Sequence, residues 1–281
     1  EGTLGIVCAA TVRLVPLPEA VCTLLAGFAS LREACAAVSA IIARGIVPAA
    51  LEMIDDRTID AVEASVYAAG YPREARAVLL VELDGPEVSV GSERDRIREI
   101  CSAGHAVEVR VARDEAERLA LWRGRKGAFG AMGRLAPDLY VQDAVVPRTK
   151  LPEVVDAIDA AAEACGIRIA NILHAGDGNL HPNISFDRRD PEQLRTVRAL
   201  GEAILRICID AGGVLSGEHG IGLEKRDFMP LMFSPVDLAA QQSLRNAFDP
   251  LGRSNPGKVL PSPATCAESN PRHRGYEHVS F

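Results

Sequence analysis

Apolar and polar positions follow one another in blocks that predict a regular order of strands and helices. The first part of the chain gives strands at 19–28, 48–53, 77–83 and 105–111, with helices at 30–45, 58–69 and 93–102 between them. Strand-length apolar runs and Gly or Pro stops mark these boundaries. The order β-α-β-(α)-β-α-β is the split βαβ pattern of a ferredoxin-like sheet.

The same order then repeats, although the two halves share no visible sequence identity. The second part gives a helix at 114–132, a strand at 139–145, a helix at 151–165, strands at 169–173 and 180–186, a helix at 191–211 and a short strand at 214. Two short helices, 224–229 and 235–248, follow them. We therefore expect an α+β fold in which two ferredoxin-like β-α-β-β-α-β halves form one domain, with a helical C-terminal segment.

The first residues form an extended, glycine-interrupted run. Gly2 and Gly5 lie in a strand-like segment that continues to Val15, and Pro16 and Pro18 close it. Glycine in a strand favours close approach by a ligand or by another chain. An edge strand with two glycines is the plainer interpretation, and the sequence leaves both open.

Composition is that of an ordinary globular protein. The 281 residues are 48% hydrophobic and 25% charged, with a net charge of −7. This acidic balance argues against a nucleic-acid partner. Seven cysteines without a C-x-x-C pair indicate a reduced, cytoplasmic chain. No apolar run approaches the roughly 20 residues of a membrane helix.

One stretch concentrates the candidate chemistry. An apolar run ends on His174, the turn Ala175-Gly-Asp-Gly-Asn179 follows, and a second run leaves through His181. Gly and Asn tolerate positive φ, so the segment predicts a β-hairpin with the two histidines side by side. Paired imidazoles are suitable ligands for zinc, manganese or iron. A glycine-rich turn with two surface histidines is the alternative, and Asp177 is expected to shape the turn.

A second glycine-rich stretch, Ser216-Gly-Glu-His-Gly-Ile-Gly222, sets Glu218 beside His219. A carboxylate added to two histidines gives a metal site with open positions for substrate. Because neighbours in an extended loop point in opposite directions, we expect Glu218 to face the metal while His219 faces the molecule that the metal binds. A tight turn with a solvated Glu-His pair is the alternative.

Together, H-A-G-D-G-N-L-H-P and S-G-E-H-G-I-G resemble the FAD-linked 2-hydroxyacid dehydrogenases of the vanillyl-alcohol-oxidase superfamily, which include the glycolate oxidase D subunit and D-lactate dehydrogenases. The resemblance runs from Glu1 to about Pro261. It implies a substrate (cap) domain at 17–222, preceded at 1–16 by the last strand of an FAD-binding domain. Residues 223–261 would then form a helical segment that packs toward that domain, and 262–281 a loose tail.

The resemblance also implies roles for particular residues. Gly2, Gly5 and Ile6 would lie against the flavin, and Asn255 would approach it, although Asn255-Pro-Gly-Lys258 is equally typical of a plain turn. Arg125 lies in a basic cluster that the sequence alone favours as a solvated helix face. The family places a substrate-binding arginine at this position, where a guanidinium suits a carboxylate.

The implied reaction assigns the remaining groups. His219 is the expected base for the substrate hydroxyl, and Asn183 is expected to hydrogen-bond the substrate carboxylate or hydroxyl. No lysine stands near Val141-Gln142, where the dicarboxylate enzymes have one, which favours glycolate or D-lactate as substrate. We expect an FAD-binding half or subunit and an iron-sulfur electron-acceptor subunit as partners, which would hold a cytoplasmic protein at the inner membrane. A module without catalytic activity and a metal-dependent hydrolase are the alternatives.

Overall fold

The computed structural model describes residues 1–261, so the predicted loose tail, with His273 and His278, lies outside the described residues. The chain divides into two compact units. The sheet unit comprises residues 15–214, and the terminal unit combines residues 1–14 with the described residues from 215 onward. These limits differ by a few residues from the predicted boundaries, whose assignment to flavin and substrate domains remains a prediction.

The first half of the sheet unit has the predicted β-α-β-β-α-β order, including the extra helix that was predicted between its second and third strands. Its elements are β1 (Ala20–Phe28), α1 (Leu31–Ala43), β2 (Ala50–Asp55), α2 (Asp56–Glu63), β3 (Ala77–Gly85), α3 (Glu87–Ala103) and β4 (Glu108–Val111). Ser30 begins α1 by accepting a hydrogen bond from the backbone N–H of Glu33, as its sequence predicts. The helix α2 ends earlier than predicted, because the Glu63 carboxylate accepts hydrogen bonds from the backbone N–H groups of Ala69 and Tyr71 and stabilises a turn there.

The second half begins with the long helix α4 (Glu115–Met132), which Asp114 caps. Its other elements are β5 (Asp138–Val141), β6 (Ala144–Val145), α5 (Leu151–Ala164), β7 (Ile169–His174), β8 (Asn179–Phe186) and α6 (Pro191–Asp210). The strand predicted at 139–145 is thus interrupted at Gln142 and Asp143, and the strand predicted at 214 is a single bridge between Val214 and Val145.

The strands form one antiparallel sheet in the order β4-β1-β3-β2-β7-β8-β5, with β6 beside β8. In the first half this is the 4-1-3-2 order of a ferredoxin-like sheet. The second half has the same order in mirror image. Moving away from β2, its strands are β7, β8, the interrupted strand β5–β6 and finally the Val214 bridge. The halves meet edge to edge through three residue pairs of β2 and β7. The α+β fold of two ferredoxin-like halves is confirmed.

Helices cover both faces of the sheet. One layer contains α3, α1, α5 and α6, which contact one another in that order, and the other contains α2 and α4. On the α2–α4 face, Ile54 and Ile172 are register partners and belong to the same buried cluster as Leu121 of α4. Side chains alternate between faces along a strand, so residues two positions from Ile54 and Ile172 also face α4. Glu52 and His174 are such residues.

The segment before Pro16 lies in none of the described strands, since β1 is the first and the residues from Leu4 to Leu17 are exposed. Its assignment to the last strand of an FAD-binding domain stays a prediction. An extended segment becomes a strand only by pairing, and none of the described strands runs beside it. The terminal unit contains a 3-10 segment, Arg226–Leu231, where a short helix was predicted, and the helix α7 (Pro235–Phe248), which Ser234 and Asp237 cap.

Candidate functional site

The two histidines of the predicted pair lie close together at the end of the β7–β8 hairpin. Their ring centroids are 5.3 Å apart with nearly perpendicular planes, and each ring has a nitrogen within 4.8 Å of a nitrogen of the other. Gly178 allows this turn, since it has a φ of +77° and a Cβ there would lie 2.1 Å from the Val146 carbonyl oxygen. The predicted hairpin and the pairing of His174 with His181 are confirmed.

Each imidazole is oriented by a hydrogen-bond acceptor that lies beside its Nδ1 atom. The Nδ1 of His181 lies 3.1 Å from the Gln142 carbonyl oxygen, and the Nδ1 of His174 lies 2.8 Å from Oε1 of Glu52. A carbonyl and an ionised carboxylate only accept, so Nδ1 is the donor in both rings, and in a neutral ring the lone pair is then on Nε2. Metal-binding histidines are typically held in this way. The donor set therefore fits a divalent metal with Nε2 as the ligand atom.

The carbonyl that orients His181 is available because the strand is interrupted. The Gln142 N–H pairs with the Pro182 carbonyl, and the side chains of Gln142 and Asp143 are fully buried between β5 and β6. Its carbonyl can then accept from a side chain instead of continuing the regular ladder. His181, 1% exposed, is also in edge contact with the ring of Phe129 of α4.

Glu52 is a site residue that the sequence prediction missed. It is the register partner of His174 on β2, and its second oxygen, Oε2, lies 2.5 Å from a terminal nitrogen of Arg125. Burial by itself raises the pKa of Glu52, but the hydrogen bond with His174 and the charge of Arg125 hold that pKa below its ordinary value. A carboxylate in the middle of an apolar strand, Leu51-Glu-Met53, was the available signal.

Arg125 faces the sheet, so the predicted solvated face is wrong for this residue. It is 7% exposed, whereas its neighbours Arg123 and Lys126 are exposed. A helix turns 100° per residue, which separates the three basic side chains. Nε of Arg125 is buried and has no hydrogen-bond partner among the described residues. A buried guanidinium with an unused donor is suited to binding a carboxylate.

Two asparagines of β8 lie on the same face of the sheet as the histidines. The side-chain amide of Asn183 donates to the carbonyls of Ala170 and His181, which fixes its orientation and leaves Oδ1 buried without a partner within residues 1–261. Asn183 therefore offers an acceptor, which suits a hydroxyl rather than a carboxylate. Asn179, the register partner of His174, also has a buried Oδ1 without a described partner, and the sequence prediction did not include it.

The terminal unit contains the Glu218–His219 stretch. Nε2 of His219 lies 3.5 Å from Oε1 of Glu218, so the expectation that these side chains point in opposite directions is wrong. Gly220 and Gly222 have positive φ, which curves the end of this loop. The Ser216 hydroxyl accepts from the Gly220 N–H across this curve.

Three segments that are distant in sequence meet in the terminal unit. The carboxylate of Glu1 accepts from the N–H groups of Ile221 and Gly222, each at 2.7 Å. The side chain of Asn255 donates to the Glu1 carbonyl. The glycine-rich start, the Glu-His loop and the Asn-Pro-Gly turn are therefore neighbours. Of the predicted flavin-facing residues, Gly2 lies beside Asn255, while Gly5 and Ile6 are exposed.

This fold and the histidine hairpin define a class of flavoprotein domain. The profile of the family "FAD linked oxidases, C-terminal domain" matches residues 17–259, and the chain belongs to that family. It is 44% identical over its whole length to "Glycolate oxidase subunit GlcD" of Escherichia coli K12, and 41% identical over 92% of its length to the protein of the same name in Bacillus subtilis. A "Probable D-lactate dehydrogenase, mitochondrial" of Danio rerio is 31% identical over 95% of the chain.

The chain spans about half the length of the curated relatives it matches, 56%, 55% and 54% respectively. Among solved structures, p-cresol methylhydroxylase with bound substrate resembles it with a TM-score of 0.67 at 12% identity, covering 86% of this chain and 53% of that one. At that identity the likeness supports the fold. The chain thus contains an FAD-linked oxidase C-terminal domain, and the relatives that it resembles are named as an oxidase subunit or a dehydrogenase. Within residues 1–261, no helix has the length and apolar character to cross a bilayer.

Proposed function

We propose that the chain is the substrate- and metal-binding part of a flavin-dependent dehydrogenase that oxidises a short 2-hydroxy acid, glycolate or D-lactate, to the 2-oxo acid. The observation that supports this most is the hairpin pair, in which His174 and His181 both have Nδ1 held by an acceptor. The similarity to glycolate oxidase subunits and to a D-lactate dehydrogenase favours this substrate class.

Different residues of the chain bind different groups of the substrate. Arg125 binds the carboxylate through its buried guanidinium, and Asn183 offers an acceptor that orients the hydroxyl. His174 and His181 provide two metal ligands, with Glu218 as the third. A divalent ion bound there would act as a Lewis acid on the hydroxyl, and FAD would accept the hydride from C2. His219 takes the hydroxyl proton.

Flavin would come from an FAD-binding half or subunit that contacts the terminal unit. Gly2, Gly5, Ile6 and Asn255 are the residues we propose at the flavin. The unit exposes large apolar side chains, and Ile6, Val236 and Phe248 among them are the residues we propose for that contact. An iron-sulfur subunit that accepts the electrons completes the proposed assembly.

The test is anaerobic stopped-flow reduction of the flavin by glycolate or D-lactate, in the protein that carries both halves, with elemental analysis of each sample. His181→Ala should lose the metal and abolish reduction. His219→Ala should keep metal and flavin but slow reduction by roughly 10²–10⁴-fold, the usual loss for a positioned base.

His105→Asn is the matched control, because His105 is an exposed histidine at positive φ, which asparagine tolerates. It should behave like the wild type. Equal metal content in wild type and His181→Ala would reject the metal site, and a wild-type reduction rate in His219→Ala would remove that residue from the mechanism.

A further inference from the structure

The carboxylate of Glu52 has two donors that belong to different parts of the proposed site. Oε1 lies 2.8 Å from Nδ1 of His174, and Oε2 lies 2.5 Å from a terminal nitrogen of Arg125. Because each donor has its own oxygen, both hydrogen bonds form at the same time. The Glu52 side chain is 13% exposed, so neither bond is screened as a surface ion pair would be.

The backbone limits the positions that Glu52 can take. It is paired with His174 across β2 and β7, and the two side chains project from the same face of the sheet. Arg125 approaches from α4 above that face. Two glycines bring α4 close, since a Cβ on Gly124 or Gly127 would lie 2.7 Å or 2.3 Å from atoms of Tyr71 or Tyr67.

From this geometry we propose that Glu52 is a positioning residue, which orients His174 for metal binding. It fixes His174 with the proton on Nδ1 and the lone pair on Nε2, and Arg125 in turn holds the Glu52 carboxylate in place. This inference rests on the proposed function, in which His174 is a metal ligand. Removing a partner that orients a ligand typically costs 10–100-fold in metal affinity.

The same helix provides a matched control. Glu82 of β3 also faces α4, because its register partner Ala50 is two residues from Glu52. Its Oε2 accepts from Arg118 at 2.9 Å and from the indole N–H of Trp122, both on α4, and it is 20% exposed. Glu82 therefore links β3 to α4 much as Glu52 links β2 to α4, but among the described residues it has no histidine partner.

The experiment is a chelator-buffered Zn²⁺ titration of metal-free protein carrying its flavin-binding half. Glu52→Gln keeps the shape but offers one acceptor to two donors, so zinc affinity should fall roughly 10–100-fold. Arg125→Met should weaken zinc binding by less than about tenfold, and the double variant should bind zinc no more weakly than Glu52→Gln alone, because both changes act through one carboxylate. Glu82→Gln and Arg118→Met should keep the wild-type affinity.

Two comparisons separate the possible failures. If His174→Ala binds Zn²⁺ as the wild type does, the metal site itself is wrong. If His174→Ala loses Zn²⁺ while Glu52→Gln binds it within threefold of wild type, or if Glu82→Gln weakens binding as much as Glu52→Gln, only the role of Glu52 is overturned. Should Glu52→Gln fail to fold, Glu52→Asp replaces it, with the same expected direction, because its carboxylate is one methylene too short.

Discussion

The two halves of the sheet have the same strand order and different regularity. In the first half, β1 and β3 pair without interruption over nine residues. In the second half, the corresponding outer strand is divided into β5 and β6, and the last strand is a single bridge at Val214. The two histidines lie in the irregular half, where the interruption at Gln142 supplies the carbonyl that orients His181. Regular strand pairing stabilises the first half, whereas the break in strand pairing at Gln142 helps to form the histidine pair in the second half.

The helix α4 offers the most direct test of this contrast, because one of its arginines contacts the interior of the first half and another contacts the edge strand where the two halves meet. Arg118 pairs with Glu82 of β3, and Arg125 pairs with Glu52 at the junction with β7. Arg125→Met should lower kcat/KM for flavin reduction, because the charge-assisted bond to the substrate carboxylate is lost. The loss should correspond to about 2–4 kcal/mol of transition-state stabilisation. Steady-state kinetics with glycolate and D-lactate measure this. Arg118→Met should leave kcat/KM unchanged, and equal losses in both variants would show that α4 packing, not substrate binding, is responsible.

The junction itself can be tested through Asp55 at the end of β2. Its carboxylate accepts from the N–H of Thr58 in α2 and from the N–H of Asn171 in β7. Burial raises the pKa of Asp55 from 3.8 to about 6, although these hydrogen bonds oppose the rise. Because the folded-state pKa is above the unfolded one, the stabilisation from proton uptake is complete below pH 3.8 and is lost as the pH rises through 6.

The free energy of unfolding should therefore fall with rising pH more steeply in wild type than in Asp55→Asn. Between pH 4 and 7 the difference should be about 2 kcal/mol. Urea denaturation at intervals of one pH unit measures it, and the asparagine variant is the control because it cannot titrate. Parallel pH dependences in the two proteins would show that Asp55 titrates normally.

The smallest expected effect concerns how closely α4 approaches the rest of the sheet unit. A Cβ on Gly127 would lie 2.3 Å from the Tyr67 ring, whereas one on Gly130 would lie 3.4 Å from it. Gly127→Ala should destabilise the protein by about 1–3 kcal/mol through overpacking. Gly130→Ala, in the same helix, should be neutral or stabilise it by up to about 1 kcal/mol through helix propensity. Thermal unfolding compares the two, and equal melting temperatures would mean that Tyr67 moves aside without cost.

Local sequence predicted the hairpin well and the contacts that cross the sheet poorly. The turn Ala175–Asn179 and its flanking apolar runs were sufficient to pair His174 with His181, because a hairpin is determined by neighbouring residues. Glu52 is 122 residues from His174, and only the β2–β7 pairing brings them together. No periodicity in the sequence specifies which edge strands of the two halves will meet.

The error at Arg125 has a similar cause. Charge composition favoured a solvated face, but Gly124 and Gly127 let α4 approach closely enough to bury Arg125. The segment before Pro16 has residues suited to a strand but no described strand beside it, so its assignment as a strand stays a prediction. The roles of Glu218, His219 and Asn255 stay predictions.

The short junction between the halves has a consequence for how the sheet opens. Three residue pairs join β2 to β7, whereas six join β7 to β8. Local opening begins where few hydrogen bonds must break, so amide hydrogens at the junction should exchange with solvent before those of the hairpin. Such an opening parts His174 from Glu52 while leaving it beside His181. The lifetime of the assembled site is then set by the opening rate of the junction, and the two histidines remain together through each event.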